Sequence, residues 1–299
     1  SGQAAVSGFD FKRPRPVHAD IVTINHQGDI PQLEVHSYEG HYGFRDQSGA
    51  DRLARLRMEE IEARGKLYEA RGNNRQVAAG RWFKLLDHFS ESEDCEFLIL
   101  EVHHEASNNY LQGKDARVEY KIRLLCQGKA EPWRPGRCFN STDTRLLALQ
   151  TATVAGPEGQ GSLNVDQYGR VQVKFHWDRE ESGSCWVRVS SNWAGGEQGL
   201  ASHPRVGSEV IVQWLDGNPD HPIVTGSVYN QNSMPPWKLP DQRALMGLRS
   251  RELTAEGGNT PGGRSNHLVL DDTQGRIQAQ LNCDHLASQL SLDHISRIV

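Results

Sequence analysis

The chain has 299 residues, which is more than one ordinary domain needs. Its formal net charge of −5 does not favour DNA, RNA or an anionic membrane as the main partner. The five cysteines include no Cys-x-x-Cys pair, which argues against a disulfide framework and against a cysteine zinc site. No stretch is long and apolar enough to span a bilayer, and Ser1–Asp10 lacks the basic start and apolar core of a signal peptide.

The N-terminal part is predicted to be mixed. Residues 1–25 contain Pro14 and Pro16, and because proline fixes φ and lacks an amide donor, we expect an extended connector there. Asp51–Glu69 contains no proline and has a patchy apolar face, which makes it the best helix in the chain. Three strand-like runs follow, at Arg81–Leu86, Cys95–His104 and Glu119–Cys126.

The strongest strand pattern lies between Gly169 and Asn230. Apolar residues alternate from Val171 to Trp177, and this period of two indicates a half-buried strand. Val210–Leu215 is nearly all apolar, which predicts a central strand covered on both faces. With Thr151–Ala155 as a first strand, the short strands and their Gly, Pro and Asn turns are typical of a small closed barrel.

Two features follow the barrel. Met234–Trp237 contains two prolines and marks a boundary. Asn266–Leu281 alternates on both sides of the turn Asp272–Gly275, which predicts a β-hairpin.

Two polar clusters invite a catalytic or metal-binding interpretation. On a strand, His103 and Glu105 share a face while His104 points away, which leaves fewer ligands than zinc needs. Asp178, Glu180 and Glu181 are close in sequence, and a pair of carboxylates could perform glycosidase chemistry. Charge clusters in turns, however, are usually just solvated. The sequence therefore predicts no metal, no cofactor and no catalytic residue.

The barrel also contains aromatic residues of the kind that stack on single-stranded nucleic acid. They are Trp177, Trp186, Trp193, Trp214 and Tyr229. Acidic residues outnumber basic ones between Thr151 and Pro240, which argues against a groove that follows phosphates. We expect these aromatic residues to pack in the barrel core or between subunits.

Several segments resemble one known family. Those of the barrel are Gly169–Asp178, Ser184–Val189, Trp193–Gly196, Pro204–Val210 and Gly217–Gly226. They resemble the oligonucleotide/oligosaccharide-binding (OB) barrel of VgrG, the family of trimeric spike proteins of bacterial type VI secretion systems, which is related to hub and spike proteins of contractile phage tails. Gly80–Phe83 and His104–Tyr110 resemble the last part of the family's hub, and Asn266–Asp272 and Ser288–Leu292 resemble the start of its needle.

The resemblance implies a mainly β fold with minor α content. It implies four segments: the C-terminal part of a phage-hub-like domain at 1–132, a linker at 133–150, an OB-fold barrel at 151–237, and the start of a triple-stranded β-helix or β-prism stalk at 238–299. We therefore expect a core fragment that lacks the start of the hub and most of the needle.

The resemblance also implies a function. The expected protein is a non-enzymatic spike whose trimer caps the secretion tube, helps to puncture target-cell membranes and carries effectors. The expected partners are further copies of itself, a hexameric tube protein at the base, a cone-shaped tip protein on the needle, and effector and adaptor proteins. No nucleic-acid partner is expected, and the protein is expected to contact a membrane only when it punctures one. Assembly would be cytoplasmic, followed by secretion into or toward the target cell.

The expected contact residues fall into two groups. The family implies a collar loop shaped by Trp193, Gly195 and Gly196, and trimer contacts through Leu268, Leu270, Leu290 and Leu292. Two alternatives remain open, namely a contractile phage tail hub or baseplate spike, and a carrier of an enzymatic effector domain fused beyond residue 299.

Overall fold

A computed structural model describes residues 2–24, 33–41, 43–88, 96–108, 110, 118–157, 161–180, 183–253 and 263–285. The chain divides into two compact units, Ser1–Asp143 and Thr144–Val299. Strands dominate both units and one α-helix lies among the described residues, which confirms the predicted mainly β fold with minor α content. That helix has neither the length nor the apolar character needed to cross a bilayer.

The N-terminal residues form a sheet. Strand β1 (Gln3–Asp10) pairs antiparallel with β2 (Arg13–Val22) and parallel with β3 (Glu34–His41). The prediction of a connector was therefore wrong, although the backbone is extended as expected. The prolines of β2 are tolerated because β2 is an edge strand, where a missing amide donor need not break the ladder.

Helix α1 (Gln47–Glu62) packs on this sheet through a stripe of small residues. It begins earlier than predicted because the Asp46 carboxylate caps it, accepting a hydrogen bond of 2.9 Å from the Gly49 amide. It also ends earlier than predicted, since the next segment forms strand β4 (Leu67–Gly72). Leu67, which lies within the stretch predicted to be helical, therefore belongs to a strand.

A four-stranded antiparallel sheet completes the first unit. It consists of β4, β5 (Trp82–Lys84), β6 (Glu96–Ser107) and β7 (Glu119–Gly128), in the order β4-β7-β6-β5. The three predicted strand runs are confirmed. Its buried core consists of Phe97, Ile99, Ile122, Leu124 and Cys126. Burial raises the pKa of the Cys126 thiol, as expected for a cysteine that acts as a small core hydrophobe.

The second unit contains a closed five-stranded barrel. Its strands are β8 (Gln150–Ala155), β9 (Gln172–Phe175), β10 (Arg188–Val189), β13 (Glu209–Trp214) and β14 (Pro222–Val228), in the order β10-β14-β13-β8-β9. A bridge between Val171 and Val187 joins the two ends of this sheet through hydrogen bonds of 2.9 and 2.7 Å. The predicted small closed barrel is confirmed, and its topology is that of an OB fold.

Valines fill the barrel. The core residues are Ala152, Val154, Val171, Val173, Val187, Val206, Val210, Val212 and Val224. Strand β13 is central, as predicted, but Gln213 is exposed while Val210 and Val212 are buried, so the prediction of burial on both faces was wrong. Strand β9 ends at Phe175, and Trp177 lies beyond it with 68% of its surface exposed.

Two smaller sheets follow from the barrel. Strands β11 (Ala194–Gly195) and β12 (Gln198–Gly199) form a minimal hairpin in the loop after β10. Beyond the barrel, β15 (Leu245–Arg249), β16 (Asn266–Asp271) and β17 (Gln278–Cys283) form an antiparallel sheet. The hairpin predicted between Asn266 and Leu281 is confirmed, and β15 is an addition that the sequence pattern did not reveal.

The barrel core predicts a clear effect of removing two methyl groups. Val212 is fully buried, so Val212→Ala should lower the free energy of unfolding by about 2 kcal/mol through lost burial and a cavity. Val228 in β14 is 36% exposed, so Val228→Ala removes less buried surface and should lower the free energy of unfolding by about 1 kcal/mol or less. Urea unfolding followed by tryptophan fluorescence checks both values, and equal losses would contradict the assigned core.

Candidate assembly surfaces

The sheet β15-β16-β17 carries an apolar face that no described residue covers. The strand register places Met246, Leu270 and Ala279 in one row across the sheet. It places Leu248, Leu268 and Leu281 in the next row. Directly opposed residues share a face, so the two rows form one apolar surface. We call it the stalk face; its five large side chains are between 40% and 75% exposed.

The opposite side of the same sheet differs in its packing. Val269 points to that side and is only 5% exposed. Gly247 lies opposite Val269, and a Cβ atom on Gly247 would stand 2.0 Å from the Leu268 carbonyl oxygen. Only glycine allows β15 to approach β16 this closely. On this side of the sheet Val269 is buried, whereas Gln278, Gln280 and Asn282 of β17 are exposed.

Hydrogen bonds also fix the base of this sheet. The Asp284 carboxylate accepts a hydrogen bond of 2.7 Å from the Ser265 amide, and this bond, reinforced by the Ser265 hydroxyl, lowers the pKa of Asp284. Arg249 donates to the Ser265 hydroxyl at 3.4 Å and to the Pro236 carbonyl at 3.0 Å. These contacts connect the ends of all three strands with the segment that leaves the barrel.

The predicted trimer contacts fall partly on the stalk face. Leu268 and Leu270 lie in its two rows, while Leu290 and Leu292 lie outside the described residues. Sequence reasoning missed Met246 and Leu248. The run Leu245–Arg249 is only five residues long, and its two adjacent apolar residues followed by Gly247 show no clear period of two.

The loop that carries Trp193 is exposed yet held in a defined conformation. The Ser191 hydroxyl lies 2.9 Å from the carbonyl oxygens of both Trp193 and Leu200, and the Leu200 amide donates to the Trp193 carbonyl at 2.9 Å. Gly195 lies in β11, and the following Gly196 begins the turn of the hairpin. Trp193 and Leu200 are 61% and 50% exposed. An exposed apolar pair on a fixed backbone is better suited to form a contact surface than the same pair on a mobile loop.

The remaining aromatic residues of the barrel divide between its core and its surface. Phe175 and Trp214 pack against the valine core, with ring centroids 5.9 Å apart. Trp177 stacks on Phe175 at 5.2 Å, and its indole nitrogen donates to Gln150 at 3.0 Å. Trp214 therefore has the expected packing role, whereas Trp177 and Tyr229 are 68% and 65% exposed.

The polar clusters show ordinary structural contacts. His104 shares a hydrogen bond of 2.6 Å with the Tyr120 hydroxyl. Asp178 accepts a hydrogen bond of 2.9 Å from the Glu180 amide within a turn, and Glu181 lies outside the described residues. Among the residues that the structure describes, no group of three or more His, Cys, Asp or Glu side chains could hold a metal ion.

Comparison with known domain families gives three matches in chain order. Residues 1–110 match the phage tail baseplate hub, and residues 161–229 match the OB domain of type VI secretion and phage-baseplate injectors. Residues 258–299 match a family described as a putative type VI secretion system Rhs element Vgr.

Comparison with curated proteins gives relatives along nearly the whole chain. The type VI secretion system spike protein VgrG1b of Pseudomonas aeruginosa is 33% identical over 95% of this chain and 38% of its own length. VgrG1a of the same organism is 34% identical over 98% of this chain and 46% of its own. The actin cross-linking toxin VgrG1 of Vibrio cholerae is 28% identical over 91% of this chain and 25% of its own. The chain thus spans less than half of each relative.

The tight contact at Gly247 gives a test of the stalk sheet. Gly247→Ala would force a methyl group into the Leu268 carbonyl, so β15 should separate from β16 at a cost of about 1–3 kcal/mol. Gly226→Ala is the matched control, because its methyl group would meet only the Ile211 side chain at 3.7 Å. Hydrogen exchange of residues 245–249 should accelerate in the first variant alone. Unchanged exchange in Gly247→Ala would contradict the strand register.

Proposed function

Because the chain is homologous to the VgrG spike proteins along 95% of its length, we propose that it is a structural component of a type VI secretion spike. The support comes first from the order of its domains, in which a hub, an OB barrel and a Vgr segment follow one another. The single observation that carries the proposal furthest is the stalk face. Apolar surface of this kind is unfavourable in water, and a contiguous exposed apolar patch marks a surface that another surface covers.

A homotrimer covers the stalk face most simply. Three copies around a threefold axis would turn their stalk faces inward, so each would be buried by the other two. The outer strands β15 and β17 have one unpaired edge each in the described sheet, and intertwining three chains would also pair those edges. Burying a fully exposed large apolar side chain contributes about 1.5–3 kcal/mol. These five are 40–75% exposed in one chain, so each contributes about half of that, and together they favour association.

The remaining parts of the proposed spike follow from the family. The first unit would sit on a hexameric tube protein, and the needle would carry a cone-shaped tip protein. Effector and adaptor proteins would travel with the assembly, which would form in the cytoplasm and then be driven through the target membrane. Trp193, Gly195 and Gly196 would shape contacts at the collar. The support for a collar contact is the exposed pair Trp193 and Leu200 on a fixed backbone.

This role requires no catalysis by the present residues, since the contracting machine would supply the work. Purified protein that cleaved peptidoglycan, and lost this activity on Glu180→Gln, would contradict the non-enzymatic proposal. Two related functions stay distinct from it. A phage tail hub would depend on the same structural features as a secretion spike. A carrier of a fused enzymatic domain is supported by the relative named as an actin cross-linking toxin, three quarters of which lies outside the match.

The first test is the mass in solution. Light scattering of the 299-residue chain across a dilution series should give about three times the 33.5 kDa of one chain. A monomer at every concentration would contradict the proposal that these residues are sufficient for trimerisation.

A pair of matched variants tests the stalk face itself. Leu268→Asp places a charge in the middle of one apolar row, so the trimer should dissociate because burying an unpaired carboxylate is costly. Gln280→Asp introduces the same residue on the other side of the sheet, opposite Val269, and should leave the mass unchanged. A trimer that survives Leu268→Asp would show that the stalk face is not the interface. Circular dichroism of both variants checks that the strands remain formed.

A further inference from the structure

The segment after β7 stays attached to the four-stranded sheet at its beginning. The Lys129 amide donates a hydrogen bond of 3.0 Å to the Glu96 carbonyl. The side chain of Gln127 is almost fully buried, and its amide nitrogen donates to the Glu131 carbonyl at 3.0 Å. This end of the segment is therefore fixed by backbone and side-chain contacts.

The middle of the segment is a compact turn. Pro132 and Pro135 each restrict φ, which lowers the entropy lost on ordering. The Phe139 amide donates to the Gly136 carbonyl at 3.1 Å, and the rings of Trp133 and Phe139 meet edge to face at 5.7 Å. The turn thus carries its own small apolar contact.

The far end of the segment contacts the other sheet of the first unit and its helix. The Arg137 amide donates to the Glu60 carboxylate at 2.9 Å. The Arg137 guanidinium donates to the Ser37 hydroxyl at 2.8 Å and pairs with the Glu39 carboxylate. The Arg134 guanidinium pairs with Glu59 at 2.5 Å. Three carboxylates from α1 and β3 therefore hold two arginines of one short segment.

Two of these carboxylates, Glu39 and Glu60, are also held by Arg57 of α1. Glu39 is 13% exposed, and Arg57 of α1 holds it at 3.4 Å while also contacting Glu60 at 3.2 Å. Burial alone would raise the pKa of Glu39, but the hydrogen bond from Arg57 and the charges of Arg57 and Arg137 outweigh it and lower the pKa. Glu39 is thus a charged, partly desolvated acceptor, the setting in which charge-assisted hydrogen bonds are strong.

We propose that residues 129–139, which we call the strap, are a staple that joins the two sheets of the first unit and fixes the point from which the chain continues to Thr144. The linker expected from residue 133 would then be a docked element over its first seven residues. The proposal that the strap is docked rests only on the contacts described above. One consequence rests also on the proposed spike function: tension on the chain after Thr144 would pass through Arg134 and Arg137 into α1 and β3, and not into the end of β7.

Hydrogen exchange of the full chain, followed by mass spectrometry, tests the strap directly. In the unmodified protein, the peptide 133–139 should be protected at the Arg137 and Phe139 amides, which donate to Glu60 and Gly136. In Arg137→Ala the same peptide should exchange about tenfold faster or more, because two charge-assisted contacts and the anchor for the turn are lost. Arg55→Ala removes the same charge from an exposed position of α1 and should leave the peptide unchanged. Peptides from β6 and β7 should remain protected in both variants, which shows that the sheet is still folded.

A conservative variant tests the part played by the charge. One guanidinium nitrogen of Arg137, Nη2, donates to both Ser37 and Glu39, so the ammonium group of Arg137→Lys can keep charge-assisted contacts, and its exchange rate should be slower than that of Arg137→Ala. Equal rates for residues 133–139 in the unmodified protein and Arg137→Ala would overturn the proposal. The mass in solution is measured separately, so loss of the trimer and failure of the strap are independent outcomes.

Discussion

The closure of the barrel is the constraint on which the second unit depends. A sheet edge exposes unpaired amides and carbonyls, and the pair Val171–Val187 removes both edges of the five-stranded sheet at once. Closure turns one face of every strand inward, so a core made mainly of valines fills the interior, with Phe175 and Trp214 packed against it. The ends of the barrel are then fixed, and the loop of Trp193 and the segment leading to β15 start from fixed points.

The stalk sheet faces the same edge problem without the same solution. Three short strands cannot close on themselves, because even small barrels need about five strands or more. Among the described residues, the sheet keeps two open edges and an apolar face. The barrel satisfies its edges within a chain, and in the proposed trimer the stalk sheet would satisfy its edges with other chains.

The sequence predicted those parts of the fold in which local pattern and burial agree. Alternation in Val171–Phe175 and in Leu268–Leu270 reflects the two-residue period of a strand, and both segments are strands. The prediction from sequence failed where the structure is determined by pairing between strands that are distant in the chain. The prolines near the N-terminus suggested a connector. That they lie on an edge strand follows only from the pairing of β1 with β2 and β3, which the local sequence does not show. The nearly continuous apolar run around Val212 suggested burial on both faces, but Gln213 within this run is exposed.

The candidate contact residues divide in the same way. Leu268 and Leu270 were found because they alternate in a hairpin that can be seen locally, whereas Met246 and Leu248 join them only through pairing with a strand about twenty residues later in the chain. The contact between Arg137 and Glu39 joins residues 98 positions apart, and no local period marks either of them. Sequence spacing alone could not reveal the strap.

The division between closed and open sheets has a consequence for folding. The first unit and the barrel bury their cores within one chain, so their stability does not depend on protein concentration. If the trimer is the occupant of the stalk face, the stalk sheet gains most of its apolar burial only on association, and its folding is linked to concentration by mass action. The barrel would then act as a preformed frame that presents three stalk faces to one another. A monomer in which the barrel is folded and the stalk sheet exchanges rapidly is the intermediate that this coupling requires.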